Sequence, residues 1–207
     1  MEDKDLLAEI SSIKNIMERS TRFISLSGFS GVMAGIYALI GAGLAYYLIY
    51  ADPFGAYPED EQSLIGKLFL IASAVLVLSI ATGIWLTFRK AAKKGQRIWS
   101  QSSKSLLISG ALPLLTGGCF VLILFSQKNY EVIAAGCLIF YGLALVAASQ
   151  YTYGDVKWLG LCEIGLGLLA TLLPGFGLYF WATGFGLLHI VYGTIMHFKY
   201  DRESSTN

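Results

Sequence analysis

The sequence predicts an all-α membrane protein: a bundle of about six transmembrane helices, arranged as three helical hairpins and preceded by a cytoplasmic amphipathic helix. Two bulk observations point there first. Hydrophobic residues make up 55% of the 207 and charged residues only 14%, and mean hydropathy is +0.60. The third is segment length. A hydrocarbon core about 30 Å thick takes about 20 apolar residues to cross as a helix. About six stretches meet or approach that length. They and their short connections use nearly the whole chain, so a separate soluble domain is not expected.

Residues 1–22 come first. Leu6, Ile10, Ile13 and Met17 recur at helical spacing and form one apolar stripe. The charges around the stripe nearly cancel, whereas a helix built for anionic lipid is rich in Lys and Arg. The stripe reads as a cytoplasmic helix that packs on its own bundle, on a protein partner or on a second copy, with a membrane-surface helix as the alternative. The segment lacks a short apolar run ending in a small-residue cleavage site, so the first span is expected to be its own insertion signal.

The spans are expected at residues 23–50, 64–88, 106–125, 132–149, 158–173 and 178–198, with a cytoplasmic tail at 199–207. Pro113 lies inside the third span and leaves the Ser109 carbonyl without its helical donor, so a kink is expected there. Leu173-Pro174-Gly175-Phe176-Gly177 is a turn signal that divides the fifth span from the sixth. The pair Tyr141-Gly142 recurs as Tyr192-Gly193, each in the second helix of a hairpin, as a tandem repeat would place it.

Charge sets orientation. Thirteen of the 15 Lys and Arg residues fall before the first span, after the second, or on the same side further along; only Lys67 and Lys128 fall opposite. Both termini are therefore expected in the cytoplasm. The first external loop carries Asp52, Glu59, Asp60 and Glu61 and no basic residue.

Small residues mark where helices approach one another, because lipid tails give apolar side chains no reason to leave them. Gly31 and Gly35 make a GxxxG within a nearly continuous small stripe of the first span. That stripe suits packing within the chain or between protomers. Gly160 and Gly167 flank Glu163 on one helix face, as Gly186 and Gly193 flank His189. These two faces are expected to meet.

Glu163 and His189 are the candidate intramembrane polar pair. Glu163 lies eleven residues before Pro174 and His189 twelve after Gly177. At 1.5 Å per residue their depths differ by about 1.5 Å. Ionisable groups inside a membrane are costly and are functional candidates for that reason. A carboxyl group beside an imidazole can exchange a proton near neutral pH. The same pair can instead be a structural lock between helices, or Glu163 can snorkel to the interface or cap a helix.

Other chemistry is poorly represented. There is no HExxH, no GxSxG, no P-loop and no mid-span Lys, and His189 and His197 share one helix. No catalytic residue, cofactor or metal site is expected. Cys119, Cys137 and Cys162 lie in the spans and read as small hydrophobes rather than a disulfide framework. A net charge of +1 gives no sign of nucleic-acid binding. The basic loop between residues 89 and 104 fixes topology, or meets lipid headgroups or a partner.

The run Met17-Glu18-Arg19-Ser20-Thr21-Arg22-Phe23-Ile24-Ser25-Leu26-Ser27-Gly28, then Gly35-Ile36-Tyr37-Ala38, resembles an uncharacterised family of bacterial multi-pass integral membrane proteins. Gly184-Phe185-Gly186-Leu187-Leu188-His189-Ile190-Val191-Tyr192-Gly193 and Phe198-Lys199-Tyr200 are similar to them too. The resemblance implies a bacterial inner-membrane protein and assigns no role to any residue. The expected function is non-enzymatic, a small sensor or regulatory subunit. The alternative is a small proton-linked transporter using Glu163 and His189.

Overall fold

The computed structural model describes residues 27–50, 61–93 and 99–201. The expected amphipathic helix at 1–22, most of the first external loop, residues 94–98 of the basic loop and the end of the tail lie outside the described residues. Among the described residues all regular structure is helical. We label the helices α1 (Gly28–Tyr50), α2 (Glu61–Lys93), α3 (Gln101–Ser126), α4 (Ile133–Ala148), α5 (Asp155–Leu172) and α6 (Gly177–Asp201). Short 3-10 turns at Tyr130–Val132 and Ser149–Tyr151 flank α4.

Among the described residues five helices are long and apolar enough to cross a membrane; α5 is not among the five. It has 18 residues and carries Asp155, Lys157 and Glu163, which lower its apolar content. The surface of the bundle is apolar: Leu76, Val77, Ile108, Leu112, Leu115 and Leu172 are each more than half exposed. The interior is instead lined by small residues such as Gly35, Ala38, Ala42, Ala135 and Gly142. Water-soluble domains bury most such large aliphatic side chains. A lipid solvent removes the cost of such a surface, and close packing of small residues then holds the helices together.

Local signals account for the helix ends. α3 begins at Gln101, five residues before its expected apolar start, because Ser100 and Ser103 form a reciprocal capping box. The Ser103 amide donates to Ser100 Oγ at 3.2 Å, and the Ser100 amide donates to Ser103 Oγ at 2.8 Å. The helix continues through Pro113. α5 and α6 are separate, and Gly175 in the turn between them has φ +88°, a conformation that glycine adopts without a Cβ penalty. α2 has 33 residues, about 50 Å of helix, longer than the roughly 30 Å thickness of a hydrocarbon core.

The packing departs from three simple hairpins. α1 pairs with α2 and α3 with α4, as expected, but α5 lies chiefly along α4, and α6 lies chiefly along α1. The glycines explain it. A Cβ on Gly160 would lie 2.7 Å from the Gly142 carbonyl oxygen, and one on Gly167 would lie 3.0 Å from that of Ala135. Both glycines therefore face α4. A Cβ on Gly186 would meet Leu39, and one on Gly193 would lie 2.7 Å from the Gly28 carbonyl oxygen. These two face α1. The expectation that the two glycine faces meet each other is thus overturned: each is used against a different helix.

Gly31 and Gly35 sit on the other side of the α1–α6 seam. A Cβ on Gly35 would lie 2.6 Å from the Gly186 carbonyl oxygen, and one on Gly31 3.2 Å from Gly193 Cα. The GxxxG therefore serves contact within the chain.

Candidate functional site

Three helices converge on one buried polar cluster. α4 supplies Tyr141, α5 supplies Glu163 and α6 supplies His189. The depth argument holds for the expected pair: His189 Nδ1 lies 3.4 Å from Glu163 Oε1. Glu163 has 0% of its surface exposed and His189 6%. Complete burial excludes a Glu163 side chain that snorkels to the interface.

The hydrogen bonds fix the tautomer of the imidazole. Nδ1 lies 3.0 Å from the Gly184 carbonyl oxygen, which only accepts, so Nδ1 carries the proton. Nε2 lies 2.8 Å from the Tyr141 hydroxyl. In the neutral ring Nε2 accepts and Tyr141 donates. His189 is therefore satisfied on both sides. Glu163 is not: neither carboxyl oxygen has a hydrogen-bond partner. The nearest charged-group contact is the same Nδ1–H, already committed to Gly184. A buried carboxyl group without a hydrogen bond is costly in either protonation state and far more so when ionised.

The local backbone lets this cluster form. Residues Ala182–Leu188 of α6 are wound as a π-helix immediately before His189. Wider winding of this kind is rare and recurs at functional sites. Gly184 lies inside it and against Glu163. A Cβ there would collide with Glu163 Oε2 and lie 2.5 Å from Leu138 Cδ2. Any side chain at 184 would have to displace the Glu163 carboxyl group and the Leu138 methyl, both in fully buried residues.

Aromatic rings surround the imidazole. Phe185 stacks on His189 with centroids 6.0 Å apart and lies 5.1 Å from the Tyr141 ring. Trp181, a turn earlier, touches Phe185 at 5.3 Å.

A second polar cluster sits at the basic end of the bundle. Asp201 pairs with Lys90 at 2.6 Å and with His197 Nδ1 at 3.1 Å. Its Oδ2 also accepts from the Gly28 amide at 3.1 Å and so caps the start of α1 from the end of α6. Nearby, Asp155 accepts from Lys199 Nζ at 2.8 Å and from the Tyr200 hydroxyl at 2.7 Å. These two interactions hold the Asp155 carboxyl below the usual carboxylate range. Tyr200 stacks on Tyr153 at 4.0 Å. The cluster ties the ends of α1, α2, α5 and α6 together.

Sequence reasoning brought Glu163 and His189 together but missed Tyr141, Gly184 and Asp201. Tyr141 had a usable signal: a hydroxyl in the middle of a span needs a partner. Gly184 and Asp201 had none, because their contacts come from helices distant in the chain. The cysteines form no disulfide; Cys119 and Cys162 lie on the bundle surface rather than buried, and Cys137 is half-buried. Among the described residues no group of His, Cys, Asp and Glu could hold a metal ion.

The chain matches no family model, no curated protein and no solved structure.

Proposed function

We propose that this is a non-enzymatic, multi-pass inner-membrane protein of the sensor or regulatory kind, and that a proton taken up or released at Glu163 is its signal. One observation carries the reading. A fully buried carboxyl group lies against an imidazole, yet neither of its oxygens is hydrogen-bonded. A group kept only to lock two helices would be expected to use its acceptors.

The geometry supplies a mechanism. With Glu163 neutral, the His189 Nδ1–H donates to the Gly184 carbonyl, as it does here. An ionised Glu163 is the stronger acceptor and lies 3.4 Å from that same nitrogen. A small ring rotation transfers the donor from Gly184 to Glu163. The Gly184 carbonyl belongs to the π-helical stretch, so the switch alters what supports that stretch. α6 lies along α1 and ends at Asp201, which holds Lys90 and the start of α1. A change in α6 is thereby handed to the basic end, where a cytoplasmic partner or a second copy would read it.

The finer topology belongs to this reading: six transmembrane helices, both termini cytoplasmic and the basic end inside. The deciding experiment is an infrared pH titration of the purified protein in lipid nanodiscs over about pH 5 to 8. A carboxyl band that titrates in this window and is missing in Glu163→Gln supports the proposal. A spectrum that does not change across the window sinks it.

A proton-linked transporter using the same pair is the second reading. It is favoured by a cavity whose wall residue Trp181 leads through Phe185 to His189. Proton-dependent solute uptake lost in Glu163→Gln would select it over the sensor.

A further inference from the structure

α2 leaves a gap in the bundle. It packs along α1, meets α3 where Phe69 lies 5.4 Å from Phe125, and meets the basic end where Lys90 reaches Asp201 and Tyr153. Between α1, α2, α4 and the start of α6 lies a cavity of about 390 Å³. That volume falls in the range of roughly 300–1,000 Å³ typical of small-molecule sites. Its depth is apolar: Ala42 and Ala45 of α1 are buried there, and Ala72 of α2 and Ala134 of α4 add small side chains to the wall, leaving space that larger ones would fill.

The boundary of the cavity is chemically specific. Aromatic faces come from Tyr50, Phe69, Phe125, Tyr130 and Trp181. Three of them join across the helices: Phe69 meets Phe125 at 5.4 Å, and Phe125 and Tyr130 lie edge to face at 5.7 Å. Among the described residues the lining contains one charged side chain, Glu131. It is exposed and has no hydrogen-bond or ion-pair partner among the described residues. Among the described residues no Lys or Arg lines the cavity.

We infer that this cavity binds a lipophilic organic monocation, with Glu131 as counter-charge and the aromatic rings as cation-binding faces. The apolar depth selects against strongly hydrated ions, which would give up their water for no polar replacement. The π faces and the carboxylate favour positive charge over negative. A passing lipid chain would satisfy the depth and leave Glu131 without a role; an anionic amphiphile would be repelled. The inference rests on the cavity alone and stands whether or not Glu163 titrates.

The test uses the full chain in nanodiscs of zwitterionic lipid, with binding to empty nanodiscs subtracted. Tetraphenylphosphonium is the probe, and neutral triphenylphosphine oxide is the control. The expected result is saturable binding of the cation, clearly stronger than that of the neutral compound. Glu131→Gln, at an exposed position where folding is insensitive, weakens the cation about fivefold and leaves the neutral compound unchanged. Ala72→Phe fills the cavity from α2 and weakens both. Equal binding of cation and neutral compound would mean an unselective slot for lipid chains and overturn the proposal. So would cation binding that is unaffected by Glu131→Gln, or binding that survives Ala72→Phe.

Discussion

Glu163 and His189 touch, yet removing each should have a different effect. His189 holds Tyr141 and Gly184, so His189→Ala removes two hydrogen bonds and leaves a cavity. We expect a loss of about 1–3 kcal/mol in detergent unfolding. Tyr141→Phe removes one bond and should lose only about 0.6 kcal/mol, the average measured for such bonds in membranes. Glu163→Gln removes no hydrogen bond, and stability should stay the same or rise while the pH response disappears. If Glu163→Gln instead destabilises as strongly as His189→Ala, and the double mutant shows strong coupling, the pair is a structural lock. Gly184→Ala sets a methyl group against Glu163 and Leu138 and should destabilise by about 1–3 kcal/mol, read by the same unfolding assay.

Asp155 carries a separate pH dependence. Hydrogen bonds from Lys199 and Tyr200 lower its pKa in the folded state. A lowered carboxyl pKa gives stability that is present above the unfolded value and lost as pH falls through the folded one. The stability advantage of wild type over Asp155→Asn should therefore be small and constant near neutral pH, and vanish on acidification below the ordinary carboxylate range. The bond is partly exposed, so added salt should also reduce it.

At the scale of elements, the α1–α6 seam is where glycine matters most. Gly35 and Gly186 approach backbone to backbone, as do Gly28 and Gly193. Gly193→Leu has no flexible neighbour to displace, since a Cβ there meets the Val32 amide and the Gly28 carbonyl. It should separate α6 from α1 and destabilise by about 3 kcal/mol or more. A substitution of similar size at Gly43, where a Cβ meets nothing within 4 Å, should be close to neutral. Melting temperatures of the two variants in one detergent make the comparison. If both melt alike, the seam is not held by this approach. The sequence marked Gly193 as a packing position but could not say which helix it packs on. Periodicity reports which face a residue occupies; the neighbour of that face is set by how six helices share limited contact area.

For the whole molecule, the distribution of Lys and Arg makes a prediction about sidedness. Lys128 lies just before the turn that leads into α4, and Lys157 lies in the first turn of α5, beyond the other end of α4. Cysteines placed at these two positions in a Cys-free background should label from opposite sides of the membrane, Lys157→Cys from the cytoplasm and Lys128→Cys from outside. Labelling of both from one side would contradict the topology proposed above.

The sequence by itself determined a good deal: the helical character of the described residues, the positions of the long apolar helices, the α5–α6 turn and the meeting of Glu163 with His189. Each follows from local physics, namely apolar length, the conformational demands of Pro174 and Gly175, and a fixed rise per residue counted from one turn. Only the tertiary structure decided that α5 lies on α4 and α6 on α1, that Tyr141 and the Gly184 carbonyl satisfy the imidazole, and that Glu163 is left without a bond. It alone placed Asp201 over the start of α1 and opened the cavity beside Trp181. Those outcomes depend on contacts between segments far apart in the chain, where many pairings satisfy the same apolar pattern and close packing chooses among them.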